Sequence, residues 1–369
     1  MQTGVHRFSL PDPGDVSGLA LAIEEGTVDP AEIVAVIGKT HGNGLVNDYT
    51  RGYLAQSLAL LIGQATGQSL DAVRTQIPFI FSGGVEGVLS PHYTVFTVSA
   101  GHTPGPRKGL AIGVSFTPEL LPEDIGRQRQ IDVTADAVAD AMHRASIDAP
   151  EDVHFVQIKG PAFQQGDIVS SMRAGRPPIT DNPGKLMGFG RAASALGVGK
   201  ALGHVPPARA VAGAVLKDFD LYSPVASVSA GVEVRCNEVV VIGLSARWSG
   251  DLTITHAPMA DALDISGIHT MLGGLGFAGA PQLSSSETAR IKACFVKCEA
   301  SRDGAVRGNF HTMLNDGDMD QQRHIRGAVG AVVASILGDT ALFVSGGAEH
   351  QGPDGGGLVS LIVEHNGEG

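Results

Sequence analysis

The chain has 369 residues and a mass of 38.0 kDa, long enough to bury a large core or several smaller ones. Its formal net charge of −12, its 5% aromatic content and the lack of any Lys/Arg run argue against nucleic-acid binding and against an anionic membrane surface. No apolar run approaches the roughly 18 residues of a membrane-spanning helix, and the N-terminus has neither a secretory nor a transit pattern. A cytoplasmic protein is therefore expected.

In chain order, the first strong element is the apolar run IVAVIGKT, which ends at Lys39. Such short runs rich in Val and Ile read as buried strands. Next comes NDYTRGYLAQSLALLIG, a helical pattern opened by Arg51, with Leu54, Leu58 and Leu61 on one face. IPFIFSGGVE follows, a strand running into a turn at Ser82 and Gly83, and then the return strand HYTVFTVSA.

The same order recurs twice. VHFVQIKGP carries Lys159, MGFGRAASALGVGKALG carries Arg191, VASVSAGVE carries Ser229 and Ala230, and NEVVVIGLS returns. IKACFVKCE carries Lys297, QRHIRGAVGAVVASILG carries Arg326 with Val329, Val333 and Ile336 on one face, ALFVSGGAE carries Ser345 and Gly346, and LVSLIVEH returns. Gly63, Gly203 and Gly338 follow the three Arg at one interval and fit helix C-caps. Each Arg is then expected in a first helical turn, where the helix dipole disfavours a cation, so stability alone gives little reason for it.

These copies divide the chain into units at residues 1–103, 104–250 and 251–369, with linkers at GHTPGPRKG and SARWSGD. The expected fold is α+β: three similar repeat domains around a pseudo-threefold axis, each a β-sheet with helices on one side. Lys and Ser at strand ends can then meet at the centre.

Alone, a Lys after an apolar run is a strand end reaching solvent, and a Ser-Gly-Gly is a turn. Recurrence of Lys, Arg and Ser in one order is harder to assign to turn chemistry, although duplication can preserve residues for structure alone. Other motifs fail on context. Gly274, Gly276 and Gly279 fit G-x-G-x-x-G, but ISGIHTML before them reads as helix rather than strand. Cys236, Cys294 and Cys298 are too few for a disulfide framework and lack metal-ligand spacing, so they read as structural thiols.

Taken together, GKTHGNGLVNDYTRG, FSGGVEGVLSPH, VSAGVE, FVKCEAS and SGGAEHQGPDGGG resemble the cyanuric acid hydrolase and barbiturase family. That resemblance implies three Ser-Lys pairs around one centre and hydrolytic opening of a cyclic imide without a catalytic cofactor. It makes Ser229 the nucleophile and Lys159 its base. Lys39 and Lys297 become the other central amines, and Arg51, Arg191 and Arg326 hold substrate oxygens. Ser82, Gly83, Ala230, Ser345 and Gly346 complete the cradle.

The resemblance also implies a homotetramer and a structural Mg²⁺ or Ca²⁺ on Glu299, Ala348, Gln351, Gly352, Pro353 and Gly356, hard oxygen donors that suit those ions. Two positions depart from the family pattern: His41 stands where Glu is usual, and Val85 where Thr is usual. Either change bears on Lys39 or substrate orientation. Barbituric acid also has three carbonyls, so the Arg triad does not separate the two substrates. A non-catalytic imide-binding protein is a further alternative, against which the intact Ser and Lys argue.

Overall fold

The computed structural model describes residues 1–279 and 281–365; the last four positions of the third unit lie outside the described residues. Among the described residues, three four-stranded sheets repeat one topology. The first contains β1 (Gln2–Ser9), β2 (Ile33–Thr40), β3 (Phe79–Gly83) and β4 (His92–Ser99) in the order β1-β4-β2-β3. The second contains β5 (Gly109–Phe116), β6 (Val153–Pro161), β7 (Ala226–Gly231) and β8 (Glu238–Ser245) in the order β5-β8-β6-β7. The third has β9 (Leu252–Met259), β10 (Ile291–Cys298), a small ribbon of β11 (Ala305–Val306) and β12 (Asn309–Phe310), then β13 (Phe343–Gly346) and β14 (Gly357–Glu364), with the sheet ordered β9-β14-β10-β13.

In each sheet the Lys strand runs parallel to the Ser strand and antiparallel to the return strand. Even the irregularity recurs: the register shifts at Ile33/Ala35, Val153/Phe155 and Ile291/Ala293, at the start of each Lys strand. This is the expected repeat architecture, and it fixes three equivalent positions at the strand ends.

The helices are α1 (Ser17–Glu24), α2 (Thr50–Thr66) and α3 (Leu70–Gln76) in the first unit, and α4 (Gln128–Arg144), α5 (Gln165–Arg173) and α6 (Pro183–Ala201) in the second. The third has α7 (Ser266–Gly274), α8 (Ser285–Thr288) and α9 (Gln321–Leu337). Strand alternation divides the residues between two layers. On β2, Val36 packs under α2 with Leu54 and Leu58, while Ala35 and Ile37 join a core shared by all three sheets. On β10, Cys294 and Val296 face α9, whereas Ala293 and Phe295 point to the shared core. Phe155 of β6 stacks on Phe295 with ring centroids 4.4 Å apart. By the same alternation Lys39, Lys159 and Lys297 point inward.

Three local expectations change. Arg51 is the second residue of α2, but Arg191 lies mid-helix in α6 and Arg326 lies in the second turn of α9. Helix α6 starts earlier because Asn182 caps it by accepting from the Lys185 amide and Pro183 opens it. The dipole argument therefore applies only to Arg51. Gly338 is the left-handed C-cap of α9, and Gly203 follows the C-cap of α6 with φ 73°, but α2 continues past Gly63 to a left-handed cap at Gly67. Ile62, four residues after Leu58, continues the buried face of α2, while Leu61 is only half-buried. Cys294 and Cys298 are buried free thiols, and Cys236 is half-buried.

Candidate active site

The parallel pairing places each Lys directly across from its Ser: Lys39 from Ser82, Lys159 from Ser229, and Lys297 from Ser345. All three amines are fully buried, and the three hydroxyls are nearly so. The sheets interlock at this point. Lys159 Nζ donates to the Phe81 carbonyl of the first unit at 2.6 Å, and Lys297 Nζ donates to the Val228 carbonyl of the second at 2.6 Å. Ser82 Oγ lies 3.3 Å from Ser345 Oγ, so at least two strand ends meet through their hydroxyls.

Lys39 Nζ is 3.1 Å from Ser82 Oγ and from the Gly83 carbonyl. Lys297 Nζ is 3.1 Å from Ser345 Oγ and 3.0 Å from the Gly346 carbonyl. Lys159 differs: it contacts the Ala230 carbonyl at 3.3 Å and Glu233 Oε1 at 2.9 Å, while Ser229 Oγ points to the Ile158 carbonyl at 3.5 Å. Burial is the main influence on all three amines because it disfavours the ammonium. It lowers Lys297 to about 7, helped by Arg191, and Lys159 to about 8 against the opposing pull of Glu233. Lys39 falls well below its ordinary range through burial and Arg326.

The sequence signal left unassigned was the Glu that follows each Ser motif. Each Arg reaches the Glu of another unit. Arg326 forks onto Glu86 with Nε to Oε2 at 2.8 Å and a terminal nitrogen to Oε1 at 2.7 Å. Arg191 forks onto Glu349 at 3.0 and 2.5 Å. Arg51 lies 3.4 Å from Glu233 and donates instead to the Ala230 and Leu45 carbonyls at 3.2 and 3.0 Å. The pairs thus close a ring: unit one to two, two to three, three to one. Burial would raise Glu86, but Arg326 holds its carboxyl below the ordinary value, so the pair is ionic.

Glycines make room for this ring. A Cβ at Gly84 would lie 2.5 Å from an Arg326 nitrogen, and one at Gly347 would lie 2.7 Å from Arg191 Nε; both residues have positive φ, 96° and 72°. Asp48, also missed from sequence, sits beneath Gly83 and accepts from the Gly44 amide at 2.8 Å and the Thr50 hydroxyl at 2.6 Å. Burial pushes its pKa up, but Arg51 and the hydrogen bonds it accepts bring it below the ordinary carboxylate value, so a carboxylate stands beside the centre.

The second unit also has a polar floor. Gln157 and Ser227, one inward step before Lys159 and Ser229, are buried where the first unit has Ile37 and Ile80 and the third has Phe295 and Phe343. Of the two departures from the family pattern, His41 is exposed, and Val85 is half-buried against the core of the third unit. A cavity of about 380 Å³ opens beside Gly347, Glu349, Gln322 and Glu299, within the range of small-molecule pockets.

Glu299 is nearly buried, and its Oε1 is 2.9 Å from Arg302. The 348–357 loop winds back against β9 and β10: a Cβ at Gly356 would lie 2.0 Å from the Met259 carbonyl, and one at Gly357 1.8 Å from the Lys297 carbonyl. The Ala348 carbonyl accepts from the Gln351 amide at 2.8 Å and the Pro353 carbonyl from the Gly356 amide at 3.0 Å. The Gln351 side chain is committed elsewhere, with Oε1 accepting from the Val228 amide at 2.6 Å. It therefore ties the loop to β7.

Known proteins resemble the chain over its whole length. Residues 4–364 match the family described as amidohydrolase ring-opening protein. A cyanuric acid amidohydrolase of Enterobacter cloacae is 45% identical over 367 residues, covering 98% of this chain and 99% of that protein. A cyclic amide hydrolase of Azorhizobium caulinodans is 42% identical over 366 residues, covering 98% and 100%. A solved cyanuric acid hydrolase superposes with a TM-score of 0.93 at 44% identity over 98% of this chain and 99% of that one. A family match over residues 4–364, with relatives and a solved structure that share the sequence and fold from end to end, shows that the chain belongs to the ring-opening amidohydrolase family.

Proposed function

We propose that this chain hydrolyses cyanuric acid, opening the ring to carboxybiuret, which loses CO₂ to give biuret. The observation that carries the reading is the threefold repetition of Lys, Ser and Arg around one buried centre, which matches a planar ring with three carbonyls. Guanidinium groups suit this task because they stay charged and carry five N–H donors, so that Arg191 and Arg326 can fork onto their Glu and still turn a terminal nitrogen to a carbonyl. The cyanuric acid amidohydrolases among its relatives support the substrate.

In this reading Ser229 attacks one ring carbonyl and Lys159, once neutral, takes its proton. Ser229 is the hydroxyl of the three that engages neither its Lys nor another Ser in the described contacts. The oxyanion is met by backbone N–H groups and the facing Ser residues. The ring C–N bond then breaks, leaving an acyl-enzyme for water. Arg51, Arg191 and Arg326, with Ser82, Gly83, Ala230, Ser345 and Gly346, hold the ring; Lys39 and Lys297 set the electrostatics around it.

A cyclic amide hydrolase is as similar as some of the cyanuric acid relatives, at 42% identity. Several cyanuric acid amidohydrolases stand higher, at 45%, so cyanuric acid is the first reading and barbituric acid the second. Incubation with cyanuric acid and with barbituric acid, following loss of each ring's ultraviolet absorbance, separates them. Loss of barbituric acid alone overturns the first reading.

We also infer a structural divalent cation on Glu299 and the carbonyl-rich loop of Ala348, Gln351, Gly352, Pro353 and Gly356. Burial and the neighbouring Glu349 push the Glu299 carboxyl up to about 7, and Asp354 adds to that excess of carboxylates, so a cation would relieve the repulsion. Gln351 would contribute its backbone carbonyl, since its side chain is committed. The ion would supply no chemistry beyond holding this loop against β10.

Limits at 1–103, 104–250 and 251–369 suit the three sheets, whose strands lie within 2–99, 109–245 and 252–364. A cytoplasmic homotetramer without nucleic-acid partners completes the proposal. The tetramer rests on the family resemblance alone; the charge of −12 speaks against nucleic acid and the free thiols suit a reducing compartment, and no helix among the described residues is long and apolar enough to cross a membrane.

A further inference from the structure

The three Arg-Glu links are not equivalent, and the difference falls on one Lys. Glu86 and Glu349 give both oxygens to their Arg. Glu233 does not: its Oε1 lies at ion-pair distance, 2.9 Å from Lys159 and 3.4 Å from Arg51, and neither of its buried oxygens has a hydrogen-bond partner among the described residues. Arg51 Nε is likewise left without one. Here the carboxylate has moved from the Arg to the Lys.

With Glu233 in place, Lys159 Nζ donates to the Phe81 and Ala230 carbonyls and forms an ion pair with Glu233 Oε1 at 2.9 Å. Lys39 and Lys297 instead lie within hydrogen-bond distance of their own Ser. We propose that Glu233 is a positioning residue that singles out Lys159 among the three central amines, holding it charged and turned from Ser229 in the free protein. This rests on Lys159 being the base of the reaction.

Other charges face Lys159 as well. Arg51 of α2 opposes the ammonium, while Asp48 in the loop before α2 favours it. Glu238, across from it on β8, is raised to about 8 by burial and accepts from the Phe79 amide at 3.0 Å, so it competes weakly as a counter-ion. Glu233 is the carboxylate in contact.

The proton of Ser229 can pass to Lys159 only after the ammonium has lost one to solvent, so the acidic limb of kcat/KM reports that loss. Removing the Glu233 charge makes the loss easier and moves the limb to lower pH. The experiment records kcat/KM for cyanuric acid against pH for the wild type, Glu233→Gln, Glu233→Asp, Glu86→Gln and Glu349→Gln. The expected result is a limb about one pH unit lower, a tenfold change in the protonation equilibrium, in Glu233→Gln. Glu233→Asp, whose carboxylate is drawn back by one methylene, gives a smaller shift in the same direction and carries the test alone if the Gln variant does not fold. Glu86→Gln and Glu349→Gln raise KM and leave the limb in place.

A uniform loss of kcat/KM with an unmoved limb in the Glu233 variants would overturn the proposal and leave Glu233 as a tie between units. Failure of the underlying reading looks different: the limb would follow Glu86 or Glu349, and Ser82 or Ser345 rather than Ser229 would be essential.

Discussion

Replacing Lys297 with Met offers a direct measure of what it means to gather three amines in one dry centre. Burial lowers this amine to about 7 in the fold, whereas an unfolded Lys titrates near ~10.4. Between those values the unfolded chain binds one proton more than the folded one at this position. Stability therefore rises with pH in that window, by about 1.4 kcal/mol per pH unit from this residue alone. Below the lower value the penalty for holding the amine is fully present, and above the higher one it is gone.

Glu238, raised to about 8, acts in the opposite sense below that value, and the buried thiols do so above the ordinary thiol range. Comparing wild type with Lys297→Met cancels both contributions. Denaturant unfolding at several values between about pH 7.5 and 9.5 should give a wild-type slope steeper than the variant's by about 1.4 kcal/mol per unit. Equal slopes would show that Lys297 is charged in the fold and would refute the picture of a neutralised centre.

Other outcomes follow from the same geometry. Arg326→Lys keeps the charge but loses the fork onto Glu86; steady-state kinetics should show KM rising by about 10- to 100-fold, the loss of one charged hydrogen bond worth ~1.5–3 kcal/mol. Gly347→Ala drives a Cβ into Arg191, whereas Gly203→Ala meets no atom within 4 Å and bears only the strain of its positive φ. The first should lower turnover at least about tenfold and the second should lower only thermal stability, by ~1 kcal/mol or somewhat more. Chelation by EDTA should lower the melting temperature of the wild type and not that of Glu299→Gln; equal responses would remove the proposed cation.

The strands were legible because each is a short apolar run with inward and outward sides, and the Lys and Ser could be placed because they sit at fixed steps from those runs. The helix starts were less so. Arg191 looked like an opening residue by its interval to Gly203, but the Asn182 cap and Pro183, further upstream, are the true start signal. Gly63 looked like a cap, but the chain stays helical until Gly67 can turn left-handed. The three Glu were visible at one spacing in every copy, yet their role was not, because each pairs with an Arg from another unit. Contacts of that kind leave no local pattern. Lys159's partner was missed for a related reason: the symmetry that reveals three equivalent centres conceals the one that differs.

The central claim is that Ser229 attacks the ring. Turnover of cyanuric acid by Ser82→Ala, Ser229→Ala and Ser345→Ala, measured side by side, tests it most directly. Ser229→Ala should lose kcat by at least roughly a thousandfold while the other two variants retain measurable turnover with raised KM. Turnover surviving in Ser229→Ala, with abolition in Ser82→Ala or Ser345→Ala, would place the nucleophile in another unit and contradict the account.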